Sequence, residues 1–116
     1  MVVDLSERER TDRLFHALAD ATRREIVSIV LREEQSVSGL ARRYPLSFAA
    51  IQKHVAVLER AELVTKQRRG REQLVRGNVD AVRRADELLR RLEIVWHERI
   101  DRIGDVLAKP QEGAQR

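Results

Sequence analysis

The sequence predicts a mainly α-helical fold with one small β-hairpin and a long last helix. Apolar residues recur at helical spacing along most of the chain. That spacing gives way to near-alternation only within residues 64–76, and a long amphipathic segment follows. Only 3% of the 116 residues are aromatic, so the core has to be built from Leu, Ile, Val and Ala. A chain of this length is expected to form one core, and we place the folded domain at residues 11–109.

Cap residues and apolar spacing predict four helices in the first half of the chain. Residues 1–10 are charged and aperiodic, which predicts a flexible leader. The first helix is short and carries Leu14, Phe15 and Leu18 on its apolar side. The candidate N-caps of the later helices are Asp20 or Thr22 for the second, Ser36 or Ser38 for the third, and Ser47 for the fourth.

The third and fourth helices are predicted to be joined by a very tight turn. Tyr44 precedes Pro45, and a residue before proline is disfavoured in the α conformation, so the third helix ends there. Only Leu46 then separates this end from Ser47, the cap of the fourth helix. The sequence therefore predicts a helix-turn-helix.

A basic hairpin is predicted directly after the fourth helix. Residues 64–68 and 72–76 are strand-like, because apolar and polar side chains nearly alternate in them. Arg69-Gly70-Arg71 between them predicts a tight turn in which Gly70 takes a positive φ. The tip of this hairpin is almost entirely positive.

A long final helix is predicted from its cap, Asn78 or Asp80, to about Lys109, and residues 110–116 are predicted to be a disordered tail. Its apolar residues follow alternating steps of three and four, with Arg99 the one charged residue in the series. A domain this small cannot cover such a stripe by itself, which predicts a homodimer. The predicted dimer contacts are Leu14, Phe15, Leu18, Leu89, Leu92, Trp96 and Ile103.

Positive charge is concentrated in the middle of the chain. Residues 36–77 contain nine Lys and Arg residues against three Glu residues, a net charge of +6, whereas the whole chain carries +4. The remaining residues therefore sum to −2. A basic block between slightly acidic flanks is the distribution expected of a segment that contacts nucleic acid.

Several classes of protein are excluded by what the sequence lacks. The chain has no cysteine, which removes disulfides, thiolate metal sites and cysteine nucleophiles. It has no apolar run long enough to span a membrane and no signal peptide, so we expect a cytoplasmic protein. Three scattered histidines, with no glycine-rich phosphate loop and no nucleophile motif, argue against an enzyme.

Two motifs resemble those of a known family. A short helix, a tight turn, a second helix and a basic hairpin follow the order of a winged helix-turn-helix. Residues 15–26 (FHALADATRREI) resemble the opening signature of ArsR/SmtB-type repressors, and residues 46–64 resemble that family's recognition helix. The resemblance covers residues 12–77. It implies a dimer that binds an inverted-repeat operator on double-stranded DNA and represses transcription, often of its own operon.

The metal sites of that family are not matched. Leu40-Ala41-Arg42-Arg43 stands where a cysteine pair would bind metal. On the last helix Asp86, His97 and Glu98 offer themselves as ligands without a second histidine nearby. The resemblance is therefore to a metal-independent branch of the family, and we expect no cofactor. The sequence does not identify an effector, an operator sequence or target genes.

The fourth helix and the hairpin supply the predicted DNA contacts. Gln52 and Lys53 are expected to reach base edges or phosphates from the fourth helix. Phe48 either covers a thymine methyl group or folds back as a hydrophobic staple, and His54 either touches a phosphate or packs. The full predicted set is Ser47, Phe48, Ala49, Gln52, Lys53, His54, Lys66, Arg68, Arg69 and Arg71.

Arg23 and Arg24 are a further open case, because they either approach the DNA backbone or pair with neighbouring carboxylates. Two alternatives to a DNA-binding repressor stay open as well. One is a winged-helix module that binds protein and not DNA, and the other is a metal-responsive repressor whose site is unrecognised.

Overall fold

The computed structural model describes residues 5–108 and has the predicted mainly α-helical fold with a small antiparallel sheet. Its last element is the predicted long helix. In chain order the elements are α1 (Leu5–Leu18), α2 (Ala21–Arg32), β1 (Gln35–Ser36), α3 (Val37–Ala41), α4 (Phe48–Arg60), β2 (Val64–Arg69), β3 (Glu72–Gly77) and α5 (Val79–Ala108).

The described residues divide into two units, one that ends at Ala85 and one that begins at Asp86. The first unit contains every element from α1 to β3 and the start of α5. The second consists of the rest of α5. No helix within residues 5–108 combines the length and the apolar character needed to cross a membrane.

The predicted leader of residues 1–10 is corrected by α1, which begins at Leu5. One charged side chain of this segment has a partner far away in the sequence. Arg10 makes a two-pronged hydrogen bond to Glu62, with Nε 2.8 Å from Oε2 and Nη2 3.0 Å from Oε1. Residues 1–4, and the predicted tail of residues 110–116, lie outside the described residues.

Side-chain caps fix where four of the helices begin, and the structure decides between the competing candidates. Asp20 caps α2 by accepting from the backbone N–H of Arg23 at 3.0 Å. Ser36 caps α3 at 2.9 Å and Ser47 caps α4 at 3.1 Å. At the start of α5 the carboxamide oxygen of Asn78 accepts from the N–H of Asp80 at 3.2 Å.

The core of the first unit is aliphatic, as the composition predicts. Every buried side chain in it is Leu, Ile, Val or Ala. The largest fully buried side chains are Ile26, Leu40, Ile51, Val55, Leu58, Leu63, Val64 and Val75. This core holds α4 and the sheet in fixed positions, because their buried residues belong to one cluster.

The three strands form an antiparallel sheet in the order β1-β3-β2. The hairpin of β2 and β3 turns at Gly70, which has the predicted positive φ of 64°. The two-residue strand β1 was not predicted, and it pairs Gln35 with Val75. A Cβ on Gly77, the last residue of β3, would lie 2.9 Å from the Cα of Leu31. The absence of a side chain at Gly77 therefore lets the sheet approach α2.

Candidate nucleic-acid interface

Helix α4 has one buried side and one polar, exposed side. Its buried side chains are Ile51, Val55 and Leu58, spaced four and three residues apart. Gln52 and Lys53 lie on the opposite side, are exposed, and make no side-chain hydrogen bond or ion pair within residues 5–108. The packing thus leaves the side-chain donors and acceptors of Gln52 and Lys53 free for a ligand.

The hairpin of β2 and β3, which we call the wing, presents exposed cations at its tip. Arg69 and Arg71 flank Gly70 at the tip, are exposed, and have no ion pair within the described part of the chain. Arg68 is also exposed, and its Nε donates to the carbonyl of Gly70 at 3.4 Å. A Cβ on Gly70 would meet no atom of the described residues within 4 Å, so the turn is open to solvent on that side.

Two other basic side chains of the basic block, Lys66 and Arg76, form ion pairs. The Nζ of Lys66 lies 3.4 Å from Oε1 of Glu59, and its side chain is only 26% exposed. Arg76 donates to Glu34 at 3.0 Å. Lys66 therefore carries less free charge than the arginines at the tip, although the sequence predicted all four wing cations as contacts.

A groove of about 180 Å³ lies between α4 and the wing. Its wall from α4 includes Phe48 and Gln52, and its wall from the wing includes Arg68 and Arg71. Residues of α3 and the wing complete the lining, namely Val37, Ser38, Glu72 and Gln73. The groove brings together three kinds of side chain that the sequence assigned to nucleic acid: an aromatic ring, an amide and two guanidinium groups.

His54 is half-buried, and its ring contacts a side chain of α2. Its Nδ1 lies 3.4 Å from Nη1 of Arg23. Arg23 is itself fixed, because its Nε donates to the carbonyl of Ala17 at 2.8 Å. The backbone N–H of Arg23 also hydrogen-bonds the carboxylate of Asp20, and this bond, aided by the charges of Arg23 and His54, lowers the pKa of Asp20.

Arg23 and Arg24 thus have a role that the sequence did not suggest. Both donate to main-chain carbonyls at the end of α1, Arg23 to His16 and Ala17, and Arg24 to Leu18 at 2.8 Å. These carbonyls are the groups that a helix C-terminus leaves unpaired. The two arginines therefore cap the C-terminus of α1, Arg23 with two nitrogens and Arg24 with one.

A cluster around Glu62 was missed by sequence reasoning. Glu62 has a positive φ of 64°, which is unusual for a residue with a side chain. Its carboxylate binds Arg10 and lies 3.8 Å from Nη2 of Arg84, while its carbonyl accepts from the side chain of Asn78 at 2.8 Å. The hydrogen bonds from Arg10, and to a smaller extent the charges around it, lower the pKa of Glu62.

The predicted dimer contacts fall into two groups. Leu14 is only 2% exposed and is a core residue of the first unit, so it has almost no surface to offer a partner, while Phe15 and Leu18 pack partly against that core. The residues of α5 lie in the second unit and are about half exposed: Leu89, Leu92, Trp96 and Ile103. The guanidinium of Arg99 lies 5.9 Å from the centroid of the Trp96 ring.

No group of three or more His, Asp or Glu side chains within residues 5–108 is arranged to hold a metal ion. Asp86, one of the candidate ligands on the last helix, instead accepts a hydrogen bond from Nε of Arg90 at 2.9 Å.

Known proteins resemble this chain in sequence and in fold. A family model described as "Bacterial regulatory protein, arsR family" matches residues 20–66. The HTH-type transcriptional regulator Rv2034 of Mycobacterium tuberculosis is 45% identical over 53 residues, which are 46% of this chain and 50% of the relative. The chain thus spans about half the length of the curated relative it matches.

Solved structures extend the likeness over nearly the whole chain. An ArsR-like transcriptional regulator from Rhodococcus sp. RHA1 is 31% identical, with 92% of this chain and 98% of that chain covered and a TM-score of 0.80. A protein of Mycobacterium bovis described as a homodimeric winged helix-turn-helix DNA-binding domain shares the fold at 21% identity, with 84% and 92% covered and a TM-score of 0.63. With its two motifs, its winged helix-turn-helix fold and this coverage, the chain belongs to the ArsR family of bacterial regulatory proteins.

Proposed function

We propose that this protein is a homodimeric transcription repressor that binds an inverted-repeat operator on double-stranded DNA. The observation that carries the proposal is that two exposed surfaces lie side by side in the first unit. Gln52 of α4 borders the same groove as Arg68 and Arg71 of the wing, and Gln52 and Arg71 make no side-chain hydrogen bond or ion pair within residues 5–108.

Helix α4 is the element that would read base edges. An α-helix fits the major groove, where glutamine can bond adenine with two hydrogen bonds and lysine can reach guanine. Gln52 and Lys53 are free to do so. The short side chains of Ser47 and Ala49 at the start of α4 are exposed and would let the helix approach the groove closely.

The wing would bind the sugar-phosphate backbone. Arg68, Arg69 and Arg71 are exposed cations on a tight turn, and phosphate contacts of this kind fix a protein on DNA without regard to sequence. Lys66 would join them only if it leaves Glu59, since the two side chains are paired at 3.4 Å. His54 would add a donor to a phosphate from the edge of α4.

The second unit would supply the dimer contact. Its apolar stripe follows a heptad-like pattern, and Leu89, Leu92, Trp96 and Ile103 together leave a large apolar surface that a second copy can bury. The M. bovis protein of the same fold is described as homodimeric. In the first unit, Phe15 and Leu18 are proposed to add to the contact. Two-fold pairing implies an operator whose half-sites lie about one helical turn apart, near 34 Å.

Binding selection from a random-sequence duplex library tests the proposal. We expect an inverted-repeat sequence to be enriched and to bind far more tightly than bulk duplex. Gln52→Ala should then weaken binding to the selected duplex by about fivefold or more, while binding to bulk duplex stays nearly unchanged, because a base contact contributes roughly 1–3 kcal/mol of discrimination. Bulk binding is the internal control for folding of the variant.

Two results of these binding measurements would contradict the proposal or one of its residue assignments. If no sequence is enriched and binding to bulk duplex is absent at low salt, the protein is not a DNA-binding repressor, and a protein-binding winged helix becomes the better interpretation. If both affinities fall equally in Gln52→Ala, Gln52 does not read bases.

A further inference from the structure

We infer that Phe48 reads the methyl group of a thymine, and that with Gln52 it gives the protein a requirement for an A·T pair at one place in each half-site. The inference deepens the proposed function and rests on it. It is carried by the position, exposure and chemistry of the first turn of α4.

Phe48 is presented to solvent in the protomer. Its side chain is 47% exposed, whereas Ile51 and Val55 of the same helix are fully buried. About half of the Phe48 side chain is therefore covered by the protein, and the other half is available to a ligand. A large aromatic side chain held in water at the start of a helix costs free energy that contact with an apolar surface would recover.

The exposed side chains of the first turn of α4 are apolar after its cap. The hydroxyl oxygen of Ser47 accepts from the N–H of Ala50 at 3.1 Å and keeps its O–H as a donor. Phe48 and Ala49 carry no polar side-chain atoms. In the major groove the apolar group on the base edges is the C5 methyl of thymine, so that methyl is the feature this turn is chemically matched to.

Gln52 is the natural neighbour of Phe48 in such a contact. The two residues are four positions apart, which places their Cβ atoms about 5–6 Å from each other on one side of the helix. Both line the groove that Arg68 and Arg71 border from the wing. An A·T pair presents the adenine N6 and N7 atoms and the thymine methyl in the same major groove. Gln52 would bind the adenine edge while Phe48 covers the methyl of the same or the adjacent pair.

Replacing thymine by uracil tests this directly, because it removes only the methyl group and keeps every hydrogen-bonding atom. The probe is the duplex enriched in the library selection, with each thymine of a half-site changed to uracil in turn. For the wild type we expect one substitution per half-site to weaken binding about fourfold, the factor for burial of one methyl group. For Phe48→Ala we expect the same substitution to have no effect.

Phe48→Leu supplies the control, since leucine keeps an apolar side chain and should retain part of the sensitivity to uracil. The thermal midpoint and the affinity for bulk duplex of each variant report whether the fold and the wing contacts survive. The comparison of thymine with uracil in the wild type needs no variant to fold.

Two results would overturn the inference. One is a wild type that binds every uracil-substituted duplex as tightly as the parent. The other is a Phe48→Ala variant that keeps the full sensitivity to uracil, or that loses affinity equally for all duplexes, since Phe48 would then act on the position of the wing and not on a base. A protein that enriches no sequence at all refutes the proposed function, and the inference with it.

Discussion

The salt dependence of DNA binding is where the wing can be tested quantitatively. Arg69 and Arg71 are exposed and have no carboxylate partner within residues 5–108, so their full charge is available to phosphates. Each phosphate contact contributes about 0.9 to the slope of log K against log salt. Alanine at both positions removes four contacts from a dimer, which lowers the slope by about 3.6. Between 50 and 200 mM salt the wild type should then lose about 150-fold more affinity than the variant.

Fluorescence anisotropy of a labelled bulk duplex, titrated at five salt concentrations, measures this slope. The matched control is Arg90→Ala with Arg91→Ala, which removes the same charge from α5, where Arg90 pairs with Asp86 at 2.9 Å and Arg91 with Glu87 at 2.8 Å. The control should leave the slope nearly unchanged. A wing variant with the wild-type slope, or a control that lowers it as much, would show that net charge and not the wing determines affinity.

Three positions away from the DNA-facing surface test packing, the ion-pair cluster and assembly. Gly77→Ala should lower the free energy of unfolding in urea by about 1–3 kcal/mol, because the new Cβ would lie 2.6 Å from Cδ2 of Leu31. Gly104→Ala, where a Cβ meets nothing within 4 Å, should instead stabilise by up to about 1 kcal/mol, and equal effects would contradict the packing argument. Glu62→Gln should lower the melting temperature at pH 7. Because the pKa of Glu62 is lowered in the folded protein, its ion pair contributes to stability at pH values above the ordinary glutamate pKa, and this contribution is lost as the pH falls through the folded pKa. A difference in melting temperature between wild type and variant that persists under strongly acidic conditions would argue against the ion pair. Trp96→Ala should shift the sedimenting species from dimer toward monomer at micromolar concentration, and an unchanged dimer would remove Trp96 from the interface.

Much of the fold could be predicted because its signals are local. The caps at Ser36 and Ser47 act over three residues, and the positive φ of Gly70 follows from a two-residue turn. The strand β1 gave no such signal, because two residues are too few to alternate. Its pairing with β3 depends on residues about forty positions away along the chain.

The start of α1 failed as a prediction for a similar reason. The segment before Arg10 is charged and aperiodic, so by itself it predicts a leader. In the structure residues 5–10 are helical, and Arg10 binds the carboxylate of Glu62, 52 residues away. The carboxylate is placed by the positive φ of Glu62, a conformation that a glutamate rarely adopts and that tertiary contacts have to hold. No local sequence pattern predicts this conformation of Glu62.

Local sequence likewise cannot distinguish the paired cations of the basic block from its free cations. The excess of positive charge within residues 36–77 could be counted in the sequence, and it predicts a surface for a polyanion. Which cations are free could not be counted, because Glu34 lies outside that block and reaches Arg76 across 42 residues, while Glu59 takes Lys66 from the end of α4. Folding thus neutralises the flanks of the wing and leaves its tip charged. Two arginines of the tip, Arg68 and Arg71, border the groove at α4, where a sequence-blind phosphate contact can hold the helix against the bases that it would read.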